Sequence, residues 1–450
     1  MSSGGDRDVV LVAHTRLSTN YVRAHYEILA ADERLRFFIT QAPDGMSAGV
    51  QEAIDQLVAD SDHRVTPIPF ERAVRRDWDL ALFGTHGSRE RFGDDVPCIH
   101  IQHGIGAGKQ VLDDDFTYGR LWTIRRDGPQ TGEPLYTAML ESSHVVRDRA
   151  VRRVPELADR IRVVGDVFAD QLIEADSRRS EFRELLGIRA EQTAVLFIST
   201  WGDHGLMGGD GAAGLPRLRA AAALGDQYTT LLSMHPHLWH AAGADGPRLW
   251  RQRLSPLADS GLIVCGPDES WTPYLAAADV AVIDHSSLCL YYGILERPSI
   301  AIPVPDDQIN PAAPIAALRA ASPLLRDPAD LKSTLQTALS TFDRRLVPGR
   351  DRIVAHPGAS AARIAAVLYN VLNLDPPAES ASIRAAGPPT PFPLREPGAR
   401  AASTRTSAAG LLARAFPQPP APGRGPAGKP PPHPPKPPPA PGQRPRPPGR

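Results

Sequence analysis

Short runs of consecutive apolar residues alternate along the chain with longer stretches whose apolar positions fall three and four apart. The short runs have the length and continuity of strands buried on both faces, and the longer stretches have the period of helices packed on one side. On this pattern, strands are predicted at 8–14, 36–40, 79–84, 97–103 and 161–166, with helices at 21–31 and 50–58. After a helix at 178–186 the series restarts at 193–201. It continues with strands at 230–234, 261–265, 280–283 and 299–303 and with helices at 215–224, 273–278, 331–342 and 359–372. Such alternation implies βαβ units and parallel sheets covered by helices. The restart near Thr193 divides the chain into two Rossmann-like domains facing a cleft, residues 1–165 and 166–375. The glycine-rich run 202–214 reads as a mobile loop over that cleft.

Composition adds a third part. From Pro376 onward the chain is rich in Pro, Gly, Ala and Arg and poor in large apolar residues, so 376–450 is expected to be a disordered Pro/Arg-rich tail, partly polyproline II. The tail carries a net charge of +9; subtracting this from −1 for the whole chain leaves −10 on the rest. An acidic body argues against a nucleic-acid partner, and a basic tail could touch an anionic membrane surface. Cys98, Cys265 and Cys289 are widely spaced and mostly flanked by apolar residues, which points to buried thiols in a reducing compartment and to neither a metal pattern nor a disulfide framework. The N-terminus does not read as a signal peptide, and no apolar stretch is long enough to span a bilayer. The expectation is a cytoplasmic protein, at most peripheral on the inner face of the plasma membrane.

Chemistry gathers where strands end, which is where open parallel sheets collect ligands. The run 280–283 stops abruptly at Asp284-His285-Ser286-Ser287 before a helical pattern resumes. The serines fall at the cap and first turn of that helix. Their hydroxyls and the unpaired first-turn amides can cap the helix or bind phosphate there. The run 97–103 ends at His103-Gly104, followed by a loop with Gly106, Gly108 and Lys109; its glycines allow close backbone approach to a ligand, and the lysine could meet a phosphate. The run 230–234 ends at His235-Pro236. No Asp-x-Asp pair stands where it would hold a metal ion, so neither metal nor cofactor is expected.

These sites occur in the order of a known family. His103-Gly104, Ser199-Thr200-Trp201, His235-Pro236, Ile283-Asp284-His285-Ser286-Ser287, Arg297-Pro298-Ser299-Ile300 and the closing Gly358-Ala359-Ser360 with Arg363 resemble the motifs of the CDP-glycerol glycerophosphotransferases of teichoic-acid synthesis, which are GT-B enzymes. His285 stands where that family has tyrosine, and Ile105-Gly106-Ala107-Gly108-Lys109 where it has Thr-Pro-Leu-Lys. The paired His-Pro and Ser-Ser sites are also similar to those of bacterial polysialyltransferases, which use CMP-sialic acid.

The resemblance implies transfer of glycerol phosphate, or a related polyol phosphate, from a CDP-linked donor to a hydroxyl of a cell-wall or capsular polymer, or of a lipid-linked acceptor, with release of CMP. A hydroxyl attacking at neutral pH needs a base with a pKa near 7, a role this reading gives to His103. His235 would donate to the leaving phosphate, and Ser286, Ser287 and Asp284 would hold the donor phosphates. Gly104, Lys109, Thr200 and Pro236 are expected donor or acceptor contacts. Two other readings stay open: a GT-B glycosyltransferase with another nucleotide sugar, or a non-catalytic paralogue acting through its Pro-rich tail.

Overall fold

A computed structural model describes residues 6–43, 49–108, 124–126, 132–208, 212–378 and 381–395. The first half is a seven-stranded sheet. Its strands are β1 (Arg7–Ala13), β2 (Leu35–Gln41), β3 (Val65–Pro67), β4 (Leu80–Phe83), β5 (Cys98–Ile101), β8 (Ala138–Glu141) and β9 (Ile161–Val163); between β5 and β8 a separate antiparallel pair joins β6 (Ile124–Arg126) to β7 (Gly132–Pro134). The order β3-β2-β1-β4-β5-β8-β9 is parallel throughout. The second half repeats the plan with β10 (Thr193–Ser199), β11 (Tyr228–Met234), β12 (Ile263–Val264), β13 (Val280–Ile283) and β14 (Ser299–Ala301), in the order β12-β11-β10-β13-β14. In each sheet the strand order reverses beside the first strand, between β1 and β4 and between β10 and β13, which opens a crevice at the carboxyl ends of those strands.

The apolar runs form these strands because helices cover both faces. Val9, Val10, Leu11 and Val12 are all fully buried, alternate residues facing two separate apolar clusters, and β10 is buried in the same way. The helix Arg16–Leu29 begins in a capping box: Thr15 accepts from the Ser18 N–H, and the Ser18 hydroxyl reaches back to the Thr15 N–H. Cys98, Cys265 and Cys289 are free and buried, as their apolar flanks imply. Among the described residues no helix is long and apolar enough to cross a membrane.

Three features differ from the sequence expectation. First, the closing helix Ser360–Leu372, placed by the sequence with the second half, packs in the first: Ile364, Leu368 and Leu372 join Val9 and Leu11 in one cluster, and Tyr369 Oη donates to Asp32 at 3.0 Å. The helix period showed an apolar face but not its partner. The Gly358-Ala359-Ser360 motif makes this crossing, because Asp170 accepts from the Gly358 N–H at 2.6 Å and the Ser360 N–H at 2.9 Å. Second, the loop after β10 is anchored where it is described. Leu206 and Met207 are fully buried, and their amides donate to Asp284 and Ser199 at 3.0 and 2.9 Å. Its glycines suggested mobility, but two apolar side chains among them find the core. Third, packed structure continues past Pro376: residues 381–395 form an extended strap whose Ala386 and Leu394 are buried. Residues 396–450 lie outside the described residues, as does the Pro-rich run from Pro417.

The glycine loop after β5 joins the halves. Gly104 and Gly106 have φ of 83° and 86°, in the left-handed region. A Cβ on Gly104 would stand 2.8 Å from Ser287 Oγ, and one on Gly106 would overlap the Leu290 side chain. Ile105 is buried in the core of the second half, and the Gly108 carbonyl accepts from the Asn310 N–H at 2.9 Å. From the first half the buried Arg149 donates to the carbonyls of Gly106 and Ala107 at 3.2 and 3.3 Å. Near Arg149, burial pushes the Glu141 carboxyl up to about 8, against the opposing pull of the guanidinium.

Gly106→Ala is therefore expected to lower the unfolding free energy by about 2 kcal/mol, from left-handed strain and overpacking together, measured by urea denaturation. Glu141 is held protonated in the fold, so the stability it contributes is present below its ordinary value of 4.5 and is lost as pH rises through about 8. Glu141→Gln should therefore raise the melting temperature relative to the parent more at pH 8.5 than at pH 5; an equal difference at both pH values would contradict the assignment.

Candidate functional site

The crevices of the two sheets face one another across a cavity of about 420 Å³, within the range of ligand sites. Both halves line it, and the reason is topological: helices follow strands at this edge, so helix N-termini converge here. The helices Arg16–Leu29, Val167–Ser177, Pro236–His240 and Ser287–Ile294 each contribute first-turn residues to the wall. Their aligned dipoles favour an anion; one first-turn amide is already taken by each of Thr15, Asp166 and His235, whereas the helix Ser287–Ile294 has no side-chain cap.

Four expected residues of the second half lie on this wall: His235, Pro236, Ser286 and Ser287. His235 precedes the helix Pro236–His240, and its Nδ1 accepts from the His237 N–H at 3.1 Å. That bond leaves the proton of a neutral ring on Nε2, making that atom a donor. Ser286 occupies the N-cap of the helix Ser287–Ile294, but its side chain makes no capping bond; its Oγ lies 3.2 Å from Cys289 Sγ.

Asp284 is used differently from the expectation. It is fully buried and does not line the cavity. Its Oδ2 accepts from the Thr200 and Leu206 N–H groups at 2.6 and 3.0 Å, and its Oδ1 from the Ser286 N–H at 2.8 Å. The carboxylate thus ties the end of β10 to the end of β13 across the point where the strand order reverses, and its oxygens are taken up by backbone amides. Thr200 is likewise buried and off the wall, and Ser199 lines the cavity in its place.

From the first half, Gly104 lines the cavity and His103 beside it does not. His103 is half-buried near His86 and His100. His86 and His100 stack with centroids 3.7 Å apart; burial lowers His86 to about 3 and His100 well below the usual imidazole range. Among the described residues no group of three or more His, Cys, Asp or Glu side chains could hold a metal ion. Lys109 lies outside the described residues.

Other wall residues had no sequence signal. Tyr21, Phe168, Trp271 and Tyr291 form a chain of ring contacts on the wall, with centroids 4.7, 6.2 and 4.7 Å apart along it. Tyr291 Oη donates to Asp166 at 2.9 Å and lies 2.6 Å from Tyr21 Oη. Its one proton is committed to Asp166, so Tyr21 is the donor to Tyr291. Burial raises the Asp166 carboxyl to about 6. Arg16 reaches the wall as well, bonded to the Gly49 carbonyl at 2.9 Å and paired with Asp268. In the sequence each of these residues reads as an ordinary helix or loop position.

The comparisons with known proteins agree with the motif order. Residues 94–308 match the family model described as CDP-glycerol:poly(glycerophosphate) glycerophosphotransferase, a stretch that includes the His103, Thr200, His235 and Ser286 motifs and bears out the resemblance read from them. Among solved structures, the wall teichoic acid polymerase TagF is similar at 14% identity over 83% of this chain and 91% of that one, with a TM-score of 0.55. A variant of it soaked with CDPG is similar at 12% identity over 83% and 90%, also at 0.55. The UDP-GlcNAc 2-epimerase from Neisseria meningitidis, bound to UDP-GlcNAc, is similar at 12% identity over 81% of this chain and 100% of that one, at 0.53. No curated protein sequence matches the chain. At these identities the structural likeness shows the fold: two α/β halves in the GT-B arrangement.

Asp284→Ala should lower the unfolding free energy by about 3 kcal/mol, because three buried N–H groups lose their acceptor, and Asp284→Asn by about half that. Urea denaturation measures both; a loss under about 1 kcal/mol for alanine would mean the amides find other partners.

Proposed function

We propose that the protein transfers glycerol phosphate, or a related polyol phosphate, from a CDP-linked donor to a hydroxyl of a polymer or lipid-linked acceptor. The observation that carries this reading is the cavity wall, where helix N-termini from both halves, the Ser286–Ser287 pair and the Nε2–H of His235 converge. All of these groups stabilise anionic oxygen and none demands a metal. The match over residues 94–308 supports the cytidine donor class.

In the proposed reaction the donor pyrophosphate lies against Ser286, Ser287 and the first-turn amides of their helix. The acceptor oxygen attacks the phosphorus that bears glycerol, and its proton passes to His103. The bond from that phosphorus to the CMP oxygen breaks, and His235 Nε2–H donates to the departing phosphate. Such transfers depend on positioning and charge stabilisation more than on covalent help. His103 itself stands off the wall, so its role rests on the motif and on its neighbour Gly104, which lines the cavity. The stacked His86 and His100, lowered by burial, stay neutral near pH 7 and do not take the proton in its place.

A donor panel tests the reading. CDP-glycerol should yield CMP, whereas nucleotide sugars should yield no product; selective turnover of a nucleotide sugar would replace the polyol-phosphate assignment. His103→Ala and His235→Ala should each reduce kcat by roughly 10²–10⁴-fold, with CDP binding retained in the His103 variant. Full activity in either would remove that histidine from the chemistry.

A further inference from the structure

The strap 381–395 lies outside the matched stretch and beyond the last motif, yet it forms part of the cavity. Ile383, Arg384, Ala385, Gly387 and Pro388 all line it. The strap runs from one half to the other. Ile383 packs on the core of the first half, Ala386 is buried in the core of the second, and Leu394 joins the cluster on that sheet's other face. Its backbone is held at intervals. The Arg384 carbonyl accepts from Gln171 at 2.8 Å, the Ala386 carbonyl from Arg178 at 2.9 Å and the Pro393 carbonyl from Arg251 at 3.0 Å. The Phe392 N–H donates to the Val264 carbonyl of edge strand β12 at 2.8 Å, while the Phe392 ring sits edge-on to Trp239 at 4.8 Å and beneath the Arg251 guanidinium.

We propose that this strap is the outer wall of the donor site: it retains a nucleoside-diphosphate donor against the second half and must loosen for the nucleotide to enter and leave. The inference rests on the donor reading above. Three observations support it. A segment that lines a ligand-sized cavity and contacts both halves controls the opening between them. Prolines at 388, 389, 391 and 393 fix the backbone and lower the ordering entropy, so a few apolar anchors suffice to seat a segment with no core of its own. Those anchors are few and the strap's carbonyls are bonded by side chains in place of a full ladder, the signature of a segment that opens below the global unfolding free energy. Thr390 N–H also donates to Glu269 at 3.2 Å, coupling the strap to the loop after β12 that forms the adjacent wall.

The test uses the full chain with CDP as probe and UDP as a second nucleotide. Arg384 is exposed, and tryptic cleavage after it requires the strap to lift. At a hundredfold excess of CDP over its dissociation constant, that cut should slow by at least about tenfold, since ligand held beneath the strap depletes the open form. Phe392→Ala should speed CDP dissociation roughly tenfold, seen by stopped-flow, with a cooperative melting transition retained. If CDP binds the parent chain and neither the cut nor the dissociation rate changes, the strap inference is overturned and the donor reading stands. If the parent binds neither nucleotide, the donor reading fails and the strap inference falls with it. Should Phe392→Ala not fold, the cleavage rate of the parent chain decides.

Discussion

The second half's face of the site depends on one buried carboxylate. Asp284 sits in the fully buried strip at the end of β13 and accepts from three backbone N–H groups, on Thr200, Leu206 and Ser286. Two of these lie beyond β10 and the third begins the helix that carries the serine pair. A parallel sheet leaves a gap where its strand order reverses, and the loops on either side have no ladder to register them. The carboxylate supplies that register. It satisfies amides that would otherwise be buried without partners, and in doing so it aims Ser286 and Ser287 at the cavity. A short acid is tolerated at this depth because its two oxygens accept from several donors.

The joining of the halves obeys the same constraint of satisfied buried groups. The glycine loop after β5 presses into the second half at Ser287 and Leu290, where only a residue lacking Cβ fits, and Arg149 holds its carbonyls from the other side. Tyr21 on the first half donates to Tyr291 on the second, which donates to Asp166 at the start of the helix following the first sheet. The closing helix returns to the first core, and the strap crosses again to the second. The halves are therefore joined by contacts that belong to neither sheet, and of these the glycine loop, the tyrosine pair and the strap line the cavity.

The motifs divide by what their side chains touch. His235, Ser286 and Ser287 face the cavity, whereas Asp284 accepts from backbone amides, that of Thr200 among them, and Gly358 and Ser360 give their amides to Asp170. Arg297 belongs with the latter: it donates to the carbonyls of Ala276 and Ala278 and pairs with Asp176. Such supports matter because a site held within tenths of an ångström needs them as much as it needs the groups that face the cavity.

Strand and helix periods by themselves determined the α/β alternation and its restart near Thr193, and β13 runs over the residues its apolar run marked, 280–283. Period is a local property, set by which faces of an element meet water, so it survives without knowledge of partners. The polar residues closing the strands were legible for the same reason, since an apolar run that stops at His or Asp-His-Ser-Ser has a visible edge. What the sequence could not settle was pairing across distance. The same apolar stripe on residues 360–372 serves a helix on either half, and only packing chose the first. A carboxylate beside two serines reads as a phosphate ligand until its oxygens are seen occupied by amides. Tyr21, Trp271 and Tyr291 look like ordinary core positions, and the strap looks like the start of a Pro-rich tail. Their place on the cavity follows from contacts between residues more than a hundred positions apart, and those exist only once the two sheets face each other.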